Sequence, residues 1–406
     1  MNAPRVLVAG AVLGQPMGGV RRHNAELLPR LARRLHERGG GLAVLEGTEP
    51  ISFELEAPIE RLRSRVPASP PLARGLAETG ALRAALTEAR ARGVPFDLVH
   101  TAHLPVPRAL GVPLTLTIHD LRSLEGDVST LARRFVAAHA LRDAVRAASA
   151  FFTVSESTRA AIVERLGVPR ERVFLVPNAG DHFTPRPRAT AAPREDDELG
   201  PREPSTRHGA RPAHELDAAN GARSASDGGA RGKLLCVGHL EPRKNLALVL
   251  RALALDPTLP GVAFAGAAKG RHGEELQRLA HELGVRERAV FLGPFEEREL
   301  ARLYAECAAV VLPSRLEGFG IVALEAQRAR APLAIARIPA LVEVAGESVP
   351  SFAPDDAGEC ARALRAALAR GERELDRDAE RANRWSWDAS AQAWCDALCA
   401  LHPRAV

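Results

Sequence analysis

The sequence predicts an α/β protein built on two doubly wound parallel sheets, and three observations carry that expectation. Apolar runs of strand length alternate with helical patterns through both halves of the chain. Several of those runs end in loops that carry glycine or a charged residue. The 406 residues suffice for about two domains with ample core.

In the first half, residues 5–11 read as a strand and 24–38 as a helix. Residues 41–46 and the run ending at His100 read as further strands, and 114–118 as another that ends at His119. A helix over 131–147 and a strand over 150–154 follow. Ser155 is placed to cap a helix with its body at 158–166, and a strand over 173–176 closes the half. In the second half an apolar run over 234–237 ends at Gly238. A loop holding Arg243 and Lys244 comes next, then the helical spacing Leu246, Val249, Leu250, Leu253. Residues 308–312 form a buried-strand pattern that Pro313 and Ser314 end. A helix starts near Ile321 and runs towards Arg330, and 333–336 reads as a strand. A last helix begins around Trp385-Ser386-Trp387-Asp388, with Ala391, Trp394, Cys395 and Leu398 on one face. Ligands of doubly wound sheets gather at the carboxyl ends of strands. Gly19, His119, Arg243 and Glu317 all fall at such ends.

Two strand–loop–helix segments carry chemistry. In Glu317-Gly318-Phe319-Gly320-Ile321-Val322-Ala323-Leu324-Glu325 the first carboxylate sits in a loop and the second on the first turn of a helix. Gly318 and Gly320 let a ligand approach the backbone, and the free N–H groups of the helix start favour an anion such as a diphosphate. Carboxylates there accept hydrogen bonds from hydroxyls, as a sugar and a ribose would offer. An acidic helix N-terminus that stabilises its own dipole is the plainer alternative. In the second segment Arg243 offers a planar fork of donors and Lys244 a point charge, a pair suited to a diphosphate. A solvated basic turn is the alternative there.

Composition excludes several classes. Apolar residues make up 46%, which is ordinary for a globular chain. A net charge of +5 and 4% aromatics, with no basic patch interleaved with aromatics, speak against a nucleic-acid partner. The five cysteines, Cys236, Cys307, Cys360, Cys395 and Cys399, are odd in number and include no Cys-x-x-Cys pair. Buried free thiols in a reducing cytosol are expected. No stretch of about 18 apolar residues is present, so no membrane span is expected. The expected location is cytoplasmic, with at most a peripheral contact at the inner face of a membrane. Between the halves, 184–232 mixes Pro, Arg, Ala, Ser, Gly and acids without a period. Its large aliphatics are Leu199 and Leu216 alone, and it has no aromatic. It reads as a disordered linker insert, because it cannot bury enough apolar surface to offset the entropy of ordering.

With these segments in place the chain resembles the retaining glycosyltransferases of family 4, which have the two-domain GT-B architecture. The Arg243-Lys244 pair and the Glu317–Glu325 spacing match that family's motifs. Gly18-Gly19-Val20, Thr117-Ile118-His119-Asp120-Leu121, Thr153-Val154-Ser155-Glu156-Ser157-Thr158, Val176-Pro177-Asn178 and Ile338-Pro339-Ala340-Leu341-Val342-Glu343-Val344-Ala345-Gly346 resemble its other segments in order. The resemblance implies two Rossmann-like domains facing a central cleft. Their expected limits are 1–183 on the acceptor side and 233–384 on the nucleotide-sugar side. The 184–232 insert and a helix at 385–406 that crosses back complete the division. Family members usually make the crossing at 184–232 in fewer residues.

The resemblance implies a nucleotide diphosphate sugar as donor, a hexose as the transferred group, and a glycan or lipid-linked acceptor. It implies no cofactor and no metal. Arg243 and Lys244 are expected to stabilise the departing diphosphate, and Glu317 to hold sugar hydroxyls. Gly238, Phe319, Gly320 and Ile321 are expected around the donor, and Glu325 on its ribose. Gly18 and Gly19 are expected to close on the diphosphate. His119 is expected near the reacting carbon, a satisfied buried histidine being its alternative. Asp120 and Arg22 are expected on the acceptor side. Arg21, His23 and Arg337 depart from the residues frequent at their positions in the family. Other classes remain beside this one: a nucleotide-sugar epimerase or phosphorylase of the same fold, and a non-catalytic nucleotide-sugar-binding partner subunit. An NAD-dependent enzyme fits less well, since Gly-x-Gly-x-x-Gly is absent after the first strand. The residues do not name the sugar, the acceptor or the oligomeric state.

Overall fold

The computed structural model describes residues 3–402 except 16–17, 52, 54, 56–57, 125–130 and 189–228. The first half runs β1 (Arg5–Ala9), α1 (Gly19–Glu37), β2 (Gly41–Glu46), β3 (Ile59–Arg63), α2 (Pro71–Ala91), β4 (Leu98–Thr101), β5 (Leu114–Ile118), α3 (Leu131–Ala147), β6 (Ala150–Thr153), α4 (Glu156–Leu166) and β7 (Val173–Leu175). Its strands form one sheet in the order β3-β2-β1-β4-β5-β6-β7, and the pairings are parallel. The second half runs β8 (Leu234–Val237), α5 (Ala247–Leu255), β9 (Val262–Ala265), α6 (His272–Glu282), β10 (Ala289–Gly293), α7 (Glu297–Glu306), β11 (Ala309–Leu312), α8 (Ile321–Arg328), β12 (Leu333–Ala336), α9 (Pro339–Ala345), β13 (Ser351–Phe352), α10 (Ala357–Leu368), α11 (Glu372–Ala382) and α12 (Trp387–Leu401). Its sheet is also parallel, in the order β10-β9-β8-β11-β12-β13. Both are doubly wound Rossmann-like sheets, as the sequence predicts.

Central strands such as β5 and β11 are buried along their whole length because helices cover both faces. That is why they read as unbroken apolar runs. Helix α1 buries Leu27, Leu28, Leu31, Ala32 and Leu35, the one-sided spacing of an amphipathic helix. Its partner is α12, whose Trp387, Trp394 and Leu398 share the same core cluster. Thus the last helix of the chain packs on the first. Arg34 donates to Gln392 at 2.6 Å and Arg38 pairs with Asp396 at 2.7 Å along that seam. Helix α4 begins at the Ser155 cap, whose side chain accepts the Thr158 N–H.

Helix α1 starts at Gly19, five residues before the periodicity announces it, because its first turn faces the cleft and needs no apolar side chain. Arg337 donates to Glu359 at 2.8 Å, and the same carboxylate accepts the Ala353 N–H. Cys236, Cys307, Cys360 and Cys395 are buried free thiols and Cys399 is partly exposed. Burial pushes the Cys307 thiol up to about 11. Of the 184–232 segment, 189–228 lie outside the described residues. Its two described ends are anchored: Arg188 donates to the carbonyls of Tyr304 and Cys307, and Ala230 is buried. Among the described residues, no helix is long and apolar enough to cross a membrane.

Candidate active site in the interdomain cleft

In the second sheet the strand order reverses beside β8, whose neighbours are β9 and β11. Loops leaving such a pair part in opposite directions and open a crevice at the carboxyl end of the sheet. The β8 loop brings Gly238, Arg243 and Lys244 there, the last two on a 3-10 turn over Pro242–Lys244. Asn245 ends that turn with φ 52°, and its amide donates to the carbonyls of Pro313 and Pro354. The Arg315 N–H donates to the Arg243 carbonyl. The two loops are therefore tied to each other.

Glu317, on the β11 loop, is the hub. Its Oε2 accepts from Arg243 Nη1 at 2.9 Å, and its Oε1 from Lys244 Nζ at 2.7 Å and Ser314 Oγ at 2.8 Å. The side chains of Glu317, Lys244 and Arg243 are only 11%, 14% and 15% exposed. Burial pushes the Glu317 carboxyl up, but Lys244 and Arg243 outweigh it and hold the group down at about 2. Arg243 also pairs with Glu241 at 2.7 Å, and Lys269 with Glu241 at 2.9 Å. Burial disfavours the Arg243 charge, yet Glu317 and Glu241 together raise its affinity for the proton. The result is a shielded row of cations with a carboxylate that keeps them aimed.

From the first domain come Gly18 and Gly19 at the start of α1, and His119 and Asp120 after β5. The His119 ring lies edge-on to His23 at 4.7 Å between centroids. Burial, with help from His23, His100 and Arg122, lowers the His119 proton affinity well below the usual value, so the ring is neutral. Its Nε2 is buried and has no hydrogen-bond partner among the described residues. His23 is held near 4 by burial, against the opposing Asn178 hydrogen bond of 2.7 Å. The domains are in close contact at Gly318, where a Cβ would overlap the His119 carbonyl oxygen. Gly320 caps α8 with φ 103°, and a Cβ there would press on Leu341 at 2.6 Å. Neither position accepts a side chain.

These groups line one cavity of about 220 Å³. Gly18, Gly19, His119 and Asp120 form its first-domain wall, and Gly238, Arg243, Lys244, Glu317, Phe319, Gly320 and Ile321 its second-domain wall. Two candidates lie elsewhere. Glu325 is buried on α8, where its Oε1 contacts His182 Nε2 at 3.0 Å and its Oε2 accepts from Tyr304 at 2.8 Å. The Trp387 indole donates to His182 Nδ1 at 3.2 Å, which leaves Nε2 as the nitrogen that carries the proton towards Glu325. Arg22 pairs with Glu26 along α1 at 3.1 Å. The cavity also includes Arg122, Asn178 and His239, to which sequence reasoning gave no role. Their signal was position alone: each sits in a segment already singled out or next to one.

The sequence model for Glycosyltransferase Family 4 matches residues 17–182, and that for Glycosyl transferases group 1 matches residues 226–385. The chain belongs to glycosyltransferase family 4. The two matched segments are the two walls of the cavity, so the family 4 likeness covers the whole site. A D-inositol 3-phosphate glycosyltransferase of Mycolicibacterium smegmatis is 35% identical over 178 residues, 42% of this chain and 39% of that protein. One from Mycolicibacterium paratuberculosis is 38% identical over 185 residues, 42% of this chain and 40% of that protein. The alignments thus span about two fifths of these relatives. Among solved structures, sucrose-phosphate synthase from Thermosynechococcus elongatus aligns at TM-score 0.69 with 17% identity, covering 98% of this chain and 99% of that one. Anabaena HepE in complex with UDP aligns at 0.61 with 20% identity, covering 98% and 100%. WaaG, a glycosyltransferase involved in lipopolysaccharide biosynthesis, aligns at 0.63 with 18% identity, covering 97% and 99%. At such identities the likeness is one of fold, and the fold of this family 4 chain is GT-B.

Proposed function

We propose that the chain is a retaining, metal-independent hexosyltransferase. It moves a mannosyl, glucosyl or similar residue from a nucleotide diphosphate sugar to a glycan or lipid-linked acceptor, in the synthesis of cell-surface polysaccharide or glycolipid. Its place is the cytoplasm, with peripheral contact at the inner membrane face. The observation that carries this reading is the row of Arg243 and Lys244 fastened to Glu317, opposite His119, whose Nε2 has no hydrogen-bond partner among the described residues. In the proposed reaction the bond between the anomeric carbon and the diphosphate oxygen breaks, and charge develops on that oxygen. Arg243 and Lys244 are already aimed and shielded, so they stabilise the charge without reorganising. The acceptor hydroxyl bonds to the anomeric carbon on the face the diphosphate leaves, and its proton passes to the leaving phosphate oxygen. His119 supplies a neutral hydrogen-bonding nitrogen beside the sugar. Glu317 accepts from sugar hydroxyls while it holds the two cations.

A thermal-shift screen across nucleotide sugars finds the donor, because a ligand of the folded state raises the midpoint. Transfer is then measured with that donor, in the presence of a chelator, and the anomer of the product is read by magnetic resonance. Arg243→Ala and Lys244→Ala are each expected to lower turnover by at least ~100-fold. Near-normal turnover in both variants removes the pair from the mechanism. An inverted product anomer overturns retention, and loss of transfer on chelation overturns metal independence.

A further inference from the structure

A set of hydrogen bonds joins the start of α4 in the first domain to helix α9 and the β11 loop of the second. Glu343, on α9, reaches across to the first turn of α4. Its Oε1 accepts the Glu156 N–H at 2.7 Å and its Oε2 the Ser157 N–H at 2.9 Å. The first N–H groups of a helix have no partner within it. Here the other domain satisfies them, and it places a negative charge at the positive end of the helix dipole. Helix α4 also reaches back. Ser155 Oγ and Thr158 Oγ1 donate to the Gly318 carbonyl at 2.6 and 3.2 Å. Gly318 is the residue between the cation-holding Glu317 and Phe319, and all three line the cavity.

We propose that Glu343, with Ser155 and Thr158, forms a clasp that holds the cleft closed and sets the Gly318–Phe319 peptide for the donor. A trans peptide points its C=O and N–H in opposite directions. With the Gly318 carbonyl drawn onto α4, the Phe319 N–H is turned away from α4. The clasp therefore couples closure to the aim of a backbone donor in the second domain. Glu343 touches neither donor nor reacting atom in this reading, so it is a positioning residue. Only the effect on turnover rests on the transferase reading; the clasp itself does not.

The test uses the full chain, Glu343→Ala and Glu343→Gln. The glutamine keeps the shape and one acceptor oxygen but loses the charge and one of the two bonds. Small-angle scattering without any substrate is expected to show a larger radius of gyration for Glu343→Ala than for the parent, with Glu343→Gln between them. Turnover with the donor found above is expected to fall on the order of 10- to 100-fold in Glu343→Ala, the scale of misplacing a reacting group. The donor KM should rise less than turnover falls, because Arg243, Lys244 and Glu317 hold the donor besides the Phe319 N–H. Unchanged scattering in both variants overturns the clasp. So does a fall in turnover that merely tracks a lost folded fraction, read from melting curves of the same samples. If the parent transfers no sugar from any donor, the transferase reading fails while the scattering still decides the clasp. If Glu343→Ala does not fold, Glu343→Gln gives the same two readouts.

Discussion

Glu317 keeps a full negative charge in a nearly closed pocket because two cations and a hydroxyl hold it there. Its folded-state value of about 2 lies below its usual 4.5, so ionised Glu317 stabilises the fold above pH 4.5, and that stabilisation is lost as pH falls towards 2. That lowering corresponds to stabilisation on the order of 3 kcal/mol. Chemical denaturation of the parent and of Glu317→Gln across pH 2 to 7 is expected to show a gap of that order at neutral pH. The gap should close between pH 4.5 and 2. A constant gap would mean that the carboxylate is not held by Arg243 and Lys244. The adjacency of those two cations was legible in the sequence. Their bond to a carboxylate 73 and 74 residues away was not, since nothing local fixes it. Glu325 shows the same divide from the other side. Its spacing from Glu317 placed it on the first turn of a helix, yet the side chain is buried against His182 and Tyr304.

At the level of elements, the start of α1 decides how much room the cleft has. A Cβ at Gly19 would meet nothing within 4 Å, so the fold tolerates a side chain that would project into the cavity. Valine is also a better helix former than glycine. Gly19→Val is therefore expected to leave the melting temperature unchanged or slightly higher. It should retain nucleotide diphosphate binding by the second-domain wall and lose at least ~10-fold in turnover, because the reacting groups no longer meet in register. Calorimetry and a transfer assay on one sample separate these effects, and unimpaired turnover would refute a two-walled site. Strongly periodic elements such as α1 and apolar strands such as β1, β5, β8 and β11 could be read directly. β3 and α2 were not read, for a physical reason. β3 is a half-exposed edge strand, and α2 turns polar side chains inward. Its Arg74 donates to the carbonyls of Ala68 and Leu104, and its Glu78 takes His103 at 2.6 Å. A helix held by buried polar contacts lacks the apolar stripe on which pattern reading depends.

For the molecule as a whole, the crossings between domains matter most. The Trp387 N–H donates to Asp181 and its indole to His182, so the outgoing and returning crossings are tied to each other. The long segment 184–232 within the outgoing crossing is a separate matter. Deleting 190–227 and closing the chain with a short flexible linker keeps Arg188 and Ala230, both anchored to the second half. The removed stretch contains two large aliphatics, Leu199 and Leu216, so no core is expected to be lost and the melting temperature should hold. A large drop would show that the stretch contributes packing its composition does not reveal.

By itself the sequence determined the parallel α/β alternation, the strand ends that bear glycine and charge, and the family. These features are local, written in periods of a few residues and in short motifs. Tertiary structure alone decided which charges meet, that Gly318 lies against the His119 carbonyl, and that Glu343 satisfies a helix start in the other domain. The first depends on how the β8 and β11 loops meet within the second domain, and the other two on how the two sheets face one another. That relation is set by the packing of α12 on α1 and by the hydrogen bonds across the cleft, whose partners lie more than a hundred residues apart and share no local pattern.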